Sequence, residues 1–193
     1  MTDFEFIFAL YALLLGLSLV EVLSGLGRTL ELRFAKDASD AGGESFSIGW
    51  LTPLLAIFVI LDLLSFWMFS WTVRDVMAVN PATLLAVVGF ASAYYLAARL
   101  VFPGDPERFR DLDTHYFRVC RTVMGMLIAL VVVQWAFLLG LPQLRENLLS
   151  PIVIWMTALF VGLMGTLMLV RNRQVHAVLL VALIIRYLVI YLR

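Results

Sequence analysis

Six long apolar segments follow one another along this chain, with short polar or charged segments between them. Each is close to the length of about 20 residues at which an α-helix crosses the hydrocarbon layer of a bilayer. The pattern predicts an all-α, polytopic integral membrane protein, a bundle of six transmembrane helices at about residues 4–26, 48–71, 81–102, 119–141, 151–170 and 175–192. No domain boundary is evident, so residues 1–193 are predicted to form a single transmembrane domain.

The loop between the third and fourth segments has a pattern of its own. Phe109, Leu112 and Tyr116 recur at helical spacing, and charged residues fill most of the positions between them. Such a pattern predicts a short interfacial helix over residues 107–116, which lies on the cytoplasmic surface of the membrane. Its apolar side is a candidate surface for a cytoplasmic protein partner.

Composition supports the membrane prediction. Hydrophobic residues make up 63% of the chain, charged residues only 15%, and the mean hydropathy is +0.97. Soluble domains average about 45–50% apolar and about 25% charged residues. A formal net charge of zero gives no indication of a nucleic-acid partner, so the lipid bilayer is the expected environment. The single cysteine, Cys120, cannot form an intrachain disulfide, and no motif predicts a cofactor.

The distribution of positive charge predicts the orientation. Loops one, three and five hold nine Lys and Arg residues, whereas the opposite side holds three: Arg74, Arg145 and Arg193. Positive loops stay in the cytoplasm, so both chain termini are predicted to lie outside. The expected location is a bacterial inner (plasma) membrane, and a homo-oligomer is expected.

Two charges lie deep inside predicted spans. Asp62 lies about 20 Å along the second span and Arg186 about 18 Å along the sixth, at ~1.5 Å per helical residue. Both spans enter from the same side, and an isolated charge at this depth is costly. We therefore expect Asp62 and Arg186 to meet as a pair. If Asp62 instead faces a wet cavity alone, it could carry protons.

A second polar group is predicted nearer the cytoplasm. Glu21 on the first span and Tyr95 and Arg99 on the third lie within a few turns of the inner interface. They could line a vestibule, or Glu21 could form a bridge with Arg99 or with Arg28 that only fixes helix packing. Gln134, at mid-depth in the fourth span, is a further polar candidate that could instead hydrogen-bond between packed helices.

Evidence for an enzyme is weak. Asp111, Asp113 and His115 are weak candidates for metal ligands, because alternate residues do not share one face of a helix. No common hydrolase or phosphate-binding motif occurs in the chain.

Three functions are compatible with this sequence. The leading hypothesis is a transporter or channel subunit for an ion, proton or small solute, with Asp62 and Arg186 at its polar centre. The alternative is a non-catalytic scaffold or accessory subunit that binds a partner through the loop of Phe109. An interfacial enzyme using Asp111, Asp113 and His115 comes third.

Overall fold

Each of the six apolar segments forms one long helix. The computed structural model describes residues 2–38, 48–109 and 111–192. Its α-helices are α1 (Asp3–Ala38), α2 (Leu51–Thr72), α3 (Pro81–Val101), α4 (Leu112–Leu139), α5 (Pro142–Leu148), α6 (Pro151–Leu169) and α7 (Arg173–Tyr191). All of them except the short α5 are long and apolar enough to cross a membrane. The prediction of an all-α fold with six such helices is confirmed.

Polar residues at the loop–helix junctions fix where two of these helices begin. Asn80 accepts a hydrogen bond from the backbone N–H of Thr83, 2.8 Å away, just before Pro81 opens α3. Asn172 caps α7 in the same way, accepting from Gln174 and Val175. Such caps satisfy N–H groups that have no partner within the helix.

The bundle has two ends, which we name after a residue at each. At the Asp111 end, α1, α3 and α6 finish and α2, α4 and α7 begin. At the Asp3 end, α1 begins beside the end of α2, and Asp3 accepts a hydrogen bond from the N–H of Val79 at 3.1 Å. Helix α1 packs mainly on α3 and α2 mainly on α7, while α4 lies between α3 and α6.

Helix α2 supplies much of the core. Its side chains Leu55, Phe58 and Val59 are fully buried among the other helices. Helix α6 lies at the periphery, where Ile152 and Trp155 are each about three-quarters exposed. The outer surface of the bundle is therefore strongly apolar.

The predicted interfacial helix between the third and fourth segments is wrong. A 3₁₀ turn spans Pro106–Arg108, Phe109 is extended, and Asp111 caps the start of α4 by accepting from the N–H of Asp113. Leu112 and Tyr116 are fully buried on α4. Their helical spacing continues directly into the apolar face of α4, so the same periodicity fits a longer core helix. The side chains of Leu112 and Tyr116 are therefore not an exposed docking surface.

Helix α1 is also longer than predicted, since it continues from the predicted end at residue 26 to Ala38. The segment after Leu26 contains more polar residues, so its hydropathy falls, but the helix continues through it.

Candidate functional site

The most deeply buried acid of the described chain is Asp62, at the middle of α2. Asp62 is only 1% exposed to solvent. Tyr187 of α7 donates a hydrogen bond to Oδ1, and the hydroxyl of Tyr94 on α3 lies 3.3 Å from Oδ2. The main-chain N–H groups in the middle of a helix already bond within the helix. Side chains must therefore supply the partners of this carboxyl group, and the two that contact it from neighbouring helices are hydroxyl groups.

Tyr94 has a second and shorter contact. Its hydroxyl oxygen lies 2.6 Å from the carbonyl oxygen of Val59, one helical turn before Asp62. A tyrosine hydroxyl carries one hydrogen, and a carbonyl oxygen can only accept. If that hydrogen points to Val59, the contact between Tyr94 and Asp62 contains a hydrogen only when Asp62 itself is protonated. A neutral carboxylic acid therefore satisfies both contacts of Tyr94 at once.

Two more tyrosines bond to backbone carbonyls of α2 close to Asp62. Tyr11 of α1 donates to Phe66 at 3.1 Å, and Tyr191 of α7 donates to Leu61 at 2.9 Å. Tyrosines from three different helices thus surround the middle of α2. The sequence interpretation had not singled out Tyr11 or Tyr94, although a lone buried acid implies that its neighbours supply donors.

The predicted pairing of Asp62 with Arg186 is wrong. No ion pair joins them; the guanidinium carbon of Arg186 lies 4.4 Å from the ring centre of Phe160 and 5.3 Å from that of Tyr187. Arg186 Nε is buried without a hydrogen-bond partner among the described residues. Adjacent helical residues point about 100° apart. Because Tyr187 faces Asp62, Arg186 is turned toward α6 and stacks on an aromatic ring instead.

The structure does bring Glu21, Tyr95 and Arg99 together. Tyr95 donates to Glu21 Oε1 at 3.2 Å, and Arg99 Nε lies 3.5 Å from Glu21 Oε2. This cluster joins α1 to α3 toward the Asp111 end and is partly exposed. Nearby, a β-carbon at Gly25 would overlap the Phe102 side chain, so a glycine permits the close approach of these helices.

Gln134 does not belong to either cluster. It lines a cavity of about 340 Å³ near the Asp3 end, between α1, α2, α3 and α4. Other lining residues include Tyr11, Val87, Phe90, Val133 and Phe137.

The three weak metal candidates are all engaged in contacts within the protein. Asp111 and Asp113 both bind the guanidinium of Arg173, and Asp113 also accepts from the N–H of Leu51 at 3.2 Å. His115 Nε2 lies 3.1 Å from the carbonyl oxygen of Leu100. Across the described residues, no group of three or more His, Cys, Asp and Glu side chains could hold a metal ion. This cluster instead ties the starts of α2, α4 and α7 together.

A buried network that the sequence interpretation missed lies close by. The Tyr116 hydroxyl is 2.7 Å from His176 Nδ1, and His176 Nε2 is 2.7 Å from the carbonyl oxygen of Val170. Because a carbonyl only accepts, Nε2 carries the hydrogen and Tyr116 donates to Nδ1. Cys120 Sγ lies 3.3 Å from the same hydroxyl. The spacing of Tyr116 and Cys120, four residues apart, was the available signal.

Phe109 is half-buried, with its ring edge-on to His115 at 5.3 Å between ring centres. Of the three predicted docking residues it alone is not fully buried, and it packs against its own chain.

Comparison of this chain with protein-family models, with curated proteins and with solved structures gives no match. Its function must therefore be argued from the geometry above.

Proposed function

We propose that this protein is a multi-pass membrane transporter in which Asp62 binds and releases a proton. The observation that carries the proposal is a fully buried carboxyl group, midway along the central helix, whose direct side-chain partners are tyrosine hydroxyls. Ionisable groups inside a membrane bundle are costly, and they typically mark ion or proton pathways.

The proposed membrane location is supported by the outer surface. Six helices have the required length and hydropathy, and large apolar side chains such as Trp155 and Ile152 point outward. Arg108, Arg118 and Arg173 belong to the Asp111 end, in line with a cytoplasmic position for that end. Arg110 and Arg193, which entered the same charge comparison, lie outside the described residues.

The resting site in this proposal holds a neutral Asp62. Its hydrogen points to the Tyr94 oxygen, the hydrogen of Tyr94 points to the Val59 carbonyl, and Tyr187 donates to the other carboxyl oxygen. In this arrangement every contact of Asp62 contains one hydrogen, and no carboxylate is buried without a cation bonded to it. Loss of the proton would leave a buried carboxylate whose nearest cation is occupied with the rings of Phe160 and Tyr187.

The burial of Asp62 favours a transporter over a continuously open channel. In this proposal a proton reaches the 1% exposed carboxyl group when α3 or α7 moves relative to α2. Such motion is the basis of alternating access in transporters. Toward the Asp111 end, the partly exposed cluster of Glu21, Tyr95 and Arg99 is the polar group proposed to pass protons on that side.

The direct test is proton movement in liposomes that contain the purified protein and a trapped pH-sensitive dye. We expect a proton flux that Asp62→Asn abolishes. Asparagine keeps an acceptor for Tyr187 and an amide donor toward Tyr94, so the fold is retained while the titrating group is lost. Asp105→Asn, which changes an exposed acid in the loop before α4, is the matched control and leaves the flux unchanged.

Flux equal to that of empty liposomes, under every gradient and with candidate solutes present, would contradict transport. A scaffold or accessory role would then be the better hypothesis, although the buried positions of Leu112 and Tyr116 remove the docking helix on which it was based. Infrared difference spectroscopy tests the proton itself. Wild type should show the C=O stretch of a protonated carboxylic acid that shifts in D₂O and is missing in Asp62→Asn.

A further inference from the structure

The cavity near the Asp3 end has the composition of a ligand site. Its volume is about 340 Å³, Tyr11 and Phe90 supply aromatic walls, and the lining includes Phe137, which is 42% exposed. Sites for small organic molecules typically measure ~300–1,000 Å³ and combine apolar walls with a few polar groups. The volume and the walls therefore match a compact organic molecule.

The polar side chains of the cavity are few, namely Tyr11, Ser70, Thr83 and Gln134, and two of them are already bonded. Tyr11 donates to Phe66, and the Ser70 hydroxyl donates to the Trp67 carbonyl. Gln134 has no hydrogen-bond partner among the described residues, and this half-buried residue lines the cavity. None of the described lining residues is charged. A charged ligand would lose its hydration without gaining a counter-ion, whereas a neutral one with a single polar group fits.

We propose that this cavity binds an uncharged, largely apolar small molecule, with Gln134 hydrogen-bonding its one polar group. Binding at this site does not depend on proton transport by Asp62. Its identification as the substrate site of the transporter rests on the proposed function of Asp62.

An aromatic wall connects the cavity to the buried acid. Phe90 lines the cavity and packs edge-on against Phe66 at 4.9 Å between ring centres, and Phe66 packs against Tyr94 at 5.4 Å. Tyr94 in turn contacts Asp62. Two ring–ring contacts therefore connect Phe90, which lines the cavity, to Tyr94, whose hydroxyl contacts Asp62.

The test compares naphthalene with 2-naphthol, two fluorescent probes that differ by one hydroxyl group, on protein in lipid nanodiscs. We expect saturable binding of both to wild type. Val87→Trp fills the cavity and should reduce affinity by more than tenfold. Val88→Trp is the matched control, since this neighbouring residue is 37% exposed and does not line the cavity, and its affinity should equal that of wild type.

Gln134→Leu tests the polar contact. One hydrogen bond corresponds to a loss of roughly three- to tenfold in affinity. This loss should appear for 2-naphthol and be absent for naphthalene. Equal losses for both probes would overturn the role of Gln134.

Absence of saturable binding to wild type, or equal binding by the Val87→Trp and Val88→Trp variants, would overturn the site. Probe affinity that falls as the nanodisc lipid is given longer chains, in wild type but not in Val87→Trp, would assign the cavity to a lipid chain and also overturn it. Binding requires no proton gradient and should persist in Asp62→Asn. Failure of the cavity proposal is therefore distinguishable from failure of proton transport.

Discussion

Asp62 and Asp113 are two almost equally buried acids whose partners differ completely. Asp113 lies at the Asp111 end, where it accepts from the backbone N–H of Leu51 at 3.2 Å and binds Arg173 at 3.0 Å. Asp62 lies in the middle of α2 and contacts the hydroxyls of Tyr94 and Tyr187. The first is contacted by a cation and a backbone N–H group, whereas the second is contacted by neutral hydroxyls and its nearest cation, Arg186, makes no ion pair with it.

Position along a helix accounts for this difference. Helix N-termini present unbonded N–H groups and a positive partial charge, so a carboxylate there is stabilised while ionised. In the middle of a helix the N–H groups are all used. An acid there depends on neighbouring side chains for hydrogen-bond donors. Where these are neutral, the protonated form of the acid is favoured. Asp113 is held by a cation and a backbone N–H, whereas Asp62 is held by hydroxyls, and the proposed proton exchange at Asp62 rests on this difference.

The largest expected effect concerns the packing around Asp113. Gly49 has φ +66°, which favours glycine, and a β-carbon there would overlap the Asp113 carboxylate. Gly49→Ala should lower the free energy of unfolding by about 2–4 kcal/mol, from backbone strain and the displaced carboxylate. Denaturant titration in mixed micelles measures it. Gly27→Ala, at a helical glycine with open space around it, is the control and should cost nothing.

The second effect concerns the hydroxyl partners of Asp62. Tyr187→Phe removes the hydrogen donated to Oδ1 and should cost about 1–3 kcal/mol, because the oxygen is left buried without a partner. High salt should leave this loss unchanged. Tyr191→Phe, one turn further along α7, is the matched control and should cost less because Tyr191 is 37% exposed. Equal losses for the two variants would contradict a special role of Tyr187.

Much of this fold could be predicted from hydropathy. The six long helices and the caps at Asn80 and Asn172 depend on local sequence, which a reader can see directly. The end of α1 could not be predicted, because a helix that leaves the apolar layer has the same polar composition as a loop. The start of α4 at Leu112 could not be predicted either, because the same helical periodicity of apolar residues fits both an interfacial helix and a buried one.

The depth of the site residues in the bundle could be predicted, but the direction in which each side chain points around its helix axis could not. Counting residues placed Asp62 and Arg186 at similar depth, yet contact depends on which way each side chain points around its helix axis. Tyr187 and Arg186 are neighbours in sequence, and only one of them can face α2. Glu21, Tyr95 and Arg99 were easier, because Tyr95 and Arg99 are four residues apart and share a face.

A smaller effect is expected from the cation at the Asp111 end. Arg173→Met should cost about 0.5–1 kcal/mol, since Arg173 is 58% exposed and water screens its charge. The loss should shrink as salt is raised, in contrast to Tyr187→Phe, because mobile ions weaken exposed pairs. Arg171→Met, two residues before it and exposed, is the control. A loss that does not depend on salt would contradict the interpretation that Arg173 stabilises Asp113 through its charge.

The smallest effect on stability is expected at Glu21, which is intermediate between the two acids. Its pair with Arg99 is partly exposed, and glutamine keeps an acceptor for Tyr95, so Glu21→Gln should cost no more than about 0.5 kcal/mol. Proton flux is the more sensitive measurement. If protons reach Asp62 from the Asp111 end, this variant should slow flux severalfold while its unfolding curve overlays that of wild type. The exposed acid Glu31 on the same helix is the control, and Glu31→Gln should change neither measurement. Unchanged flux in Glu21→Gln would assign Glu21 to packing alone and leave Asp62 without a polar neighbour on that route.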